Sequence, residues 1–317
     1  MASTADSGRQ AETTIILGAD GFLGRNFVRY FAEKGWPVHA VGRAAGDLSE
    51  WANVERIFKE APPAGRILHL VTRQRTGQSQ YDIQGELIAI NARIHLNVLE
   101  AWRLHQPQAK LISTGSSCAF PEIDRAIVEA DFQTGPMHPS VRGYGLAKQL
   151  LAVGSETYAS QYGLSYLHLF LATVYGPKDH KAPDRTHFMT GMIDRAVHEM
   201  QAGASEFTVW GEPGTVRDLL YVDDQIEAIL AADGAFANCM LNCSSNAPVT
   251  IDQSAHAVIE ALGWKASITY PPGTFKGASY KSLDASRFLE ATGWTPRISL
   301  VEGIEKTLLA DYGLARG

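Results

Sequence analysis

This 317-residue sequence contains few cysteines, no long apolar run and no cluster of basic residues. Its three cysteines, Cys118, Cys239 and Cys243, cannot form a disulfide framework, which favours a reducing compartment and a cytoplasmic location. The spacing of the last two does not suit a zinc site, so no metal is expected. No apolar run reaches the roughly 18–20 residues of a transmembrane helix. Residues 1–11 lack the apolar core of a signal peptide and are predicted to form a disordered tail.

The charge of the chain bears on which partners it could bind. A formal net charge of −6, without a Lys/Arg-rich block, disfavours binding to nucleic acid or to a membrane surface. A small anionic substrate stays possible, because a local pocket can be basic in an acidic chain. The length suits one large domain or two smaller ones.

Short apolar runs alternate with segments of helical periodicity through the first half of the chain. The predicted strands are 13–17, 37–41, 66–71, 109–113 and 165–170, and the predicted helices are 22–34, 51–59, 87–104 and 144–162. Strands separated by helices form a parallel sheet that is covered on both faces. We therefore predict an α/β fold, a doubly wound parallel sheet (Rossmann), with a smaller C-terminal substrate lobe.

The second half is less regular. The predicted helices are 186–201, 223–232, 251–262 and 300–312, and the predicted strands are 207–210 and 240–243. Val222-Asp-Asp offers a carboxylate N-cap for the helix at 223–232. We assign the Rossmann core to 12–177 and 217–247, the second piece returning to the main sheet. The substrate lobe is assigned to 178–216 and 248–317.

A glycine-rich turn predicts a dinucleotide site near the N-terminus. Gly18, Gly21 and Gly24 follow a strand and open a helix that begins with Phe22 and Leu23. Glycine permits the tight turn, and the helix N-terminus supplies free N–H groups to a pyrophosphate.

The end of the second predicted strand indicates which cofactor binds. An acidic residue there would bind the free ribose diol of NAD(H), but the strand ends in Val41-Gly-Arg43, and Arg43 can pair with a 2′-phosphate. NADP(H) is therefore expected, with NAD(H) as the alternative if Arg43 merely faces solvent. Asp47 is expected to contact the adenine edge.

Tyr144 and Lys148 supply the candidate catalytic chemistry. They are four residues apart on a predicted helix and so share one face. A nearby ammonium is expected to lower the tyrosine pKa from its ordinary value of about 10, so that the phenol exchanges a proton near neutral pH. Ser116 ends a predicted strand, where open α/β sheets bind their ligands.

These segments together resemble the extended short-chain dehydrogenase/reductase family, in its nucleotide-sugar epimerase/dehydratase branch. The resemblance covers residues 13–312 and is greatest to the GDP-L-fucose synthases. It rests on Gly18–Gly24, Asn91, Gly115-Ser-Ser-Cys118-Ala-Phe-Pro121, Tyr144 with Lys148, Tyr175-Gly-Pro177, Val209-Trp-Gly211 and Arg217–Asp224. It implies an NADP(H)-dependent enzyme that epimerises a GDP-4-keto-6-deoxy sugar at C3 and C5 and reduces it at C4.

The resemblance also implies roles for individual residues. Ser116 and Tyr144 would hold the C4 oxygen of the sugar, and Lys148 would also bind the nicotinamide ribose. Cys118 and His187 would be the acid/base pair for epimerisation. The residues implied in substrate binding are Thr173, Arg195, Trp210 and Arg217, the two arginines neutralising the diphosphate.

The implied acid/base pair is chemically reasonable. Protons on C3 and C5 are acidic because both carbons flank a ketone, and inversion needs a base on one face and an acid on the other. A thiol and an imidazole can both exchange protons near pH 7. The alternative is that Cys118 is an inert residue at a strand end and that His187 lies on a surface loop.

The sequence therefore predicts an NADP(H)-dependent reductase of a nucleotide-linked 4-keto-6-deoxyhexose, with C3/C5 epimerase activity. The alternatives are an NAD-dependent nucleotide-sugar 4-epimerase and a non-catalytic nucleotide-sensing scaffold. A homodimer is expected, joined by the helices at 87–104 and 144–162, as in similar enzymes.

Overall fold

A six-stranded parallel sheet forms the centre of the molecule. The computed structural model describes residues 12–76, 79–182, 185–272 and 278–315, so the predicted tail at 1–11 lies outside the described residues. The strands of this sheet are β1 (Thr14–Leu17), β2 (Val38–Val41), β3 (Arg66–His69), β4 (Lys110–Ser116), β5 (Tyr166–Leu171) and β9 (Cys239–Cys243). The strand order is β2-β1-β3-β4-β5-β9. The predicted doubly wound fold is confirmed.

Helices cover both faces of this sheet. The helices are α1 (Phe22–Lys34), α2 (Trp51–Glu60), α3 (Ser79–Asp82), α4 (Gln84–His105), α5 (Arg142–Tyr162), α6 (Phe188–Gln201), α7 (Val222–Ala235), α8 (Ile251–Leu262), α9 (Ser286–Thr292) and α10 (Leu300–Tyr312). Among the described residues, no helix is both long and apolar enough to span a membrane.

Alternation along β1 shows how the two faces are built. Ile15 and Leu17 pack into one core cluster with side chains of α2, α4 and α5. Ile16 points the other way, into a second cluster that contains Phe27 of α1 and Ile226 of α7. Because every residue of β1 is buried, the strand is apolar on both sides, as parallel strands between two helical layers are.

The second half of the chain adds two smaller sheets. In one, β8 (Val216–Tyr221) pairs with β6 (Thr173–Tyr175), β10 (Pro248–Thr250) and β12 (Tyr280–Lys281). In the other, β7 (Glu206–Thr208) pairs with β11 (Ser267–Thr269).

The predicted return of 217–247 to the main sheet is only partly right. Strand β9 joins the main sheet beside β5, whereas β8 pairs outside it. The division into a core and a substrate lobe stays a prediction.

The predicted carboxylate N-cap of α7 is wrong. Tyr221 is the N-cap and makes no side-chain capping bond. The two carboxylates are engaged elsewhere: Asp223 pairs with Arg29, and Asp224 accepts backbone N–H groups of Arg297 and Ile298. Tertiary contacts have therefore replaced the local cap.

Candidate active site

Two adjoining cavities open at the carboxyl ends of the parallel strands. The first, of about 520 Å³, is lined by the glycine turn and the segment after β2. The second, of about 650 Å³, is lined by the ends of β4, β5 and α5. The residues common to both are Gly21, Arg43, Leu70, Thr72, Arg73, His180 and Arg185. The two cavities are thus parts of one long cleft, the arrangement that open α/β sheets use for ligands.

The glycine turn has the shape that a dinucleotide requires. Gly18 has a φ of +91°, and its N–H donates to the carbonyl of Val41 at 2.9 Å, which ties the turn to the end of β2. A Cβ on Gly24 would lie 2.9 Å from Ala19 Cα and would overlap the Gly18 carbonyl. A side chain at residue 24 would push α1 away from the turn. Glycine at 18 and 24 therefore keeps the turn and the start of α1 close together, as the binding of a pyrophosphate requires.

The predicted cofactor-contacting residues lie along this cleft. Gly18, Arg43 and Asp47 line the first cavity, and Phe22 and Leu23 line the second. Gly24 lies in the first turn of α1 against the glycine turn rather than in the lining. The Asp47 carboxylate accepts the N–H of Ser49 at 2.9 Å, so it also stabilises its own loop.

Tyr144, Lys148 and Ser116 come together in the second cavity. The Lys148 Nζ donates to the carbonyl of Thr114 at 2.8 Å and lies 5.8 Å from the centre of the Tyr144 ring. The side chains of Ser116 and Thr72 lie close enough to Tyr144 to lower its pKa. The bond to the Thr114 carbonyl fixes the lysine beside the carboxyl end of β4, two residues before Ser116.

Burial changes the titration of this pair in opposite directions. Burial raises the pKa of Tyr144 well above its ordinary value, and the hydrogen bonds from Ser116 and Thr72 offset this only in part. Burial also lowers the pKa of Lys148 to about 8. The expectation of a lowered tyrosine pKa is therefore wrong, because burial, and after it the nearby Cys118, raise the pKa of Tyr144. At neutral pH Tyr144 is protonated and able to donate.

Cys118 lies two residues after Ser116 and close to basic side chains of the second half of the chain. Its N–H donates to the Ser116 Oγ at 3.2 Å, in a short helical turn that follows β4. The Lys281 Nζ lies 3.5 Å from the Cys118 Sγ, and Arg217 is paired with Lys281 in the register of β8 and β12. Burial lowers the pKa of Arg217, an effect that the nearby Cys118 opposes.

His187 is held by a carboxylate that sequence reasoning missed. Its Nδ1 lies 2.9 Å from Asp179 Oδ2, and Thr190 Oγ1 donates to the same oxygen at 2.6 Å. Burial alone would raise the pKa of Asp179, but the hydrogen bonds from His187 and Thr190 and the histidine charge hold it below its ordinary value. An ionised Asp179 keeps the proton on Nδ1, which leaves Nε2 to exchange protons in the cavity that His187 lines.

The predicted substrate-binding residues divide into two groups. Thr173 and Arg217 line the second cavity, together with Cys118 and His187. Arg195 and Trp210 are not in the described lining of either cavity. Instead the guanidinium carbon of Arg195 lies 3.7 Å from the centre of the Trp210 ring, and Trp210 is 60% exposed. The structure therefore does not bring these two residues to the catalytic group.

Basic residues that the sequence did not single out also line the cleft: Arg73, Arg75, His180, Arg185 and Lys281. They come from loops and a short strand distant in sequence. Among the residues that the structure describes, no group of three or more His, Cys, Asp and Glu side chains could hold a metal ion.

Comparison with known proteins finds a family model that matches most of the chain and relatives that align along nearly all of it. The model of the NAD dependent epimerase/dehydratase family matches residues 14–238. The probable GDP-L-fucose synthase 1 of Oryza sativa subsp. japonica is 28% identical over 297 residues, which cover 92% of this chain and 89% of that protein. The GDP-L-colitose synthase of Yersinia pseudotuberculosis is 24% identical, with 92% and 96% covered.

Comparison with solved structures finds the same fold. MlghC, a GDP-mannoheptose C4 reductase of Campylobacter jejuni solved with NADP bound, superposes with a TM-score of 0.84 at 20% identity, covering 96% of this chain and 99% of that chain. The family resemblance drawn from the sequence is confirmed by the family model, which matches more than half of the chain.

Proposed function

The chain belongs to the NAD-dependent epimerase/dehydratase family, and from this premise we propose that it is an NADP(H)-dependent reductase of a GDP-linked 4-keto-6-deoxyhexose, with epimerase activity at C3 and C5. The observation that carries the proposal is that Ser116, Tyr144, Lys148, Cys118 and His187 all line one cavity. The names of the relatives, which include a fucose synthase, a colitose synthase and a C4 reductase, support a GDP-sugar.

In the reductive half, Tyr144 is the acid. Its buried hydroxyl is protonated at neutral pH, and it gives that proton to the C4 oxygen while the Ser116 hydroxyl holds the same oxygen. Lys148 keeps a positive charge beside the tyrosine that becomes phenolate. NADPH, held by the glycine turn with Gly18, Gly21 and Arg43 and by Lys148, would supply the hydride when bound.

In the epimerising half, Cys118 and His187 exchange the protons. One removes the proton from C3 or C5, the C4 ketone takes the negative charge as an enolate, and the other returns a proton from the opposite face. Asp179 keeps His187 oriented through Nδ1. Lys281 and Arg217, which lie next to Cys118, place positive charge where the enolate forms.

Deuterium exchange tests the epimerase half. In D₂O with oxidised cofactor bound, the wild-type protein should place deuterium at C3 or C5, because enolisation needs no hydride. Cys118→Ser should slow exchange by about 10²-fold or more, the scale for losing a positioned acid/base. His187→Asn should do likewise, with the defect shifted to the other proton transfer.

A ketone already in the right configuration is the control substrate. Both variants should still reduce it with NADPH. A product without deuterium, while NADPH is consumed by the wild-type protein, would contradict the epimerase half and leave a plain 4-ketoreductase. Copurified NAD with no net consumption of cofactor would instead favour the 4-epimerase alternative.

We further propose a homodimer formed through α4 and α5. Four of the seven exposed large apolar side chains among the described residues lie on these two helices: Leu96, Leu104, Leu146 and Tyr162. A second copy would cover them. The three unpaired cysteines fit a reducing cytoplasm, where we place the dimer.

A further inference from the structure

The end of β2 carries a carboxylate that does not come from β2. In dinucleotide-binding folds an acidic side chain at this point accepts a hydrogen bond from the ribose 2′-hydroxyl and so favours a cofactor without a 2′-phosphate. Here the strand is followed by Gly42 and Arg43, neither of which is acidic. The glycine turn, however, contains Asp20, which lines the first cavity beside both of them.

The geometry puts the Asp20 carboxylate where a side chain at residue 42 would be. A Cβ built on Gly42 would lie 2.6 Å from the Asp20 Cγ and 2.6 Å from its Oδ1. The backbone N–H of Arg43 donates to the Oδ2 of Asp20 at 2.6 Å and holds the carboxylate there. Since Gly18 also donates to the carbonyl of Val41, the turn and the strand end form one unit.

We propose that Asp20 determines cofactor specificity by supplying, from the glycine turn, the acidic group that β2 lacks. The ribose 2′-hydroxyl of NADH can donate to this carboxylate. A 2′-phosphate pairs with Arg43 but is repelled by Asp20, since like charges a few ångströms apart oppose each other. The protein therefore accepts both reduced dinucleotides, with NADPH preferred by less than about tenfold. This inference depends on the proposed function only in requiring that a dinucleotide occupies the cleft.

Dissociation constants measured without any sugar test the inference. NADPH and NADH are titrated into the wild-type protein and into Asp20→Asn, which keeps an oxygen for the Arg43 N–H but removes the charge. The ratio of the NADH to the NADPH constant should rise by about tenfold or more, a change of about 1.4 kcal/mol. Added salt screens the repulsion between Asp20 and the 2′-phosphate. The change that salt causes in NADPH affinity should therefore be more favourable for the wild-type protein than for Asp20→Asn.

Two further variants separate the outcomes. Arg43→Ala should weaken NADPH binding and leave NADH binding nearly unchanged, which reverses the preference. Asp47→Asn removes another carboxylate from the same cavity and should change both constants by the same factor.

An unchanged ratio in Asp20→Asn overturns the inference and leaves the proposed function intact. A shifted ratio in a protein that reduces no 4-keto sugar overturns the proposed function alone. Absence of dinucleotide binding by the wild-type protein overturns both.

Discussion

Acidification should destabilise this protein through three buried histidines. His69, His95 and His168 have no solvent-exposed surface, and each has one ring nitrogen without a hydrogen-bond partner among the described residues. The His69 Nε2 lies 2.9 Å from the His95 Nδ1, and the His168 Nδ1 lies 2.7 Å from the Ser113 Oγ. Burial, with the nearby Lys148 charge, lowers the pKa of His69 and of His168 to about 3, and burial lowers that of His95 well below its ordinary value.

The direction of the change in the free energy of unfolding follows from which state, folded or unfolded, binds the protons. Between pH 7.5 and 5.5 the unfolded chain protonates these histidines, with a pKa of about 6.5, while the folded protein keeps them neutral. The free energy of unfolding therefore falls as the pH falls below about 6.5, and for His69 and His168 the loss continues until the pH approaches about 3. Each histidine contributes a loss of about 1.4 kcal/mol between pH 7.5 and 5.5, and the three together about 4 kcal/mol. That is a large part of a typical stability of about 5–15 kcal/mol.

Urea unfolding at the two pH values measures this loss. His168→Asn removes one titrating group, so its loss between pH 7.5 and 5.5 should be smaller than that of the wild-type protein by about 1.4 kcal/mol. His69→Gln should show the same difference. The measured quantity is the difference between each variant and the wild-type protein in the free energy lost on acidification, not the loss itself. Burial raises the pKa of Asp218, so protonation of this residue changes stability in the opposite direction in all of these proteins.

Exposed histidines are the matched controls. The side chains of His198 and His256 are 70% and 62% exposed, so asparagine at either position controls for the loss of a histidine that is not buried. If His168→Asn and His69→Gln lose as much stability on acidification as the wild-type protein, the histidines are protonated in the folded state and the reasoning is refuted.

Three further predictions concern the site and the assembly. Tyr144→Phe should abolish ketone reduction while leaving the NADPH dissociation constant nearly unchanged in a fluorescence titration; reduction at the wild-type rate would exclude Tyr144 as the acid. Asp179→Asn should slow deuterium exchange by about tenfold or more yet still permit reduction, since only His187 loses its orientation; undiminished exchange would make Asp179 merely structural. Leu96→Lys combined with Leu104→Lys should give a monomer by light scattering, and a persistent dimer would place the interface elsewhere.

The first half of the fold was predictable because its signals are local. A buried parallel strand is a short apolar run, and a helix that covers it has a 3.6-residue period, so Thr14–Leu17 and Phe22–Lys34 can be recognised without their neighbours. The glycine turn also requires a positive φ at Gly18, which residues other than glycine rarely adopt. Helix Leu300–Tyr312 was predicted with its observed bounds for the same reason, since Ser299 caps it and Gly313 ends it.

What could not be predicted depends on contacts between distant segments. Strand β8 lies outside the main sheet, where it pairs with β6, β10 and β12. Its own sequence does not show which strands it pairs with, so this position could not be predicted. Nothing in the sequence near Asp179 marked it as the partner of His187. Lys281 approaches Cys118 from 163 residues further along the chain, and no spacing rule connects the two. Asp20 was visible in the glycine turn, yet only the fold shows that it fills the space at Gly42.

The charge of the cleft is opposite to that of the chain. The net charge is −6, yet Arg43, Arg73, Arg185 and other basic side chains line the two cavities. Such a concentration of positive charge attracts any diphosphate, whether it belongs to a dinucleotide or to a sugar nucleotide, so attraction alone cannot discriminate between ligands. Discrimination needs a group that disfavours the wrong ligand. Asp20, which the Arg43 N–H holds at the end of β2 in the first cavity, is the group that we propose for this role.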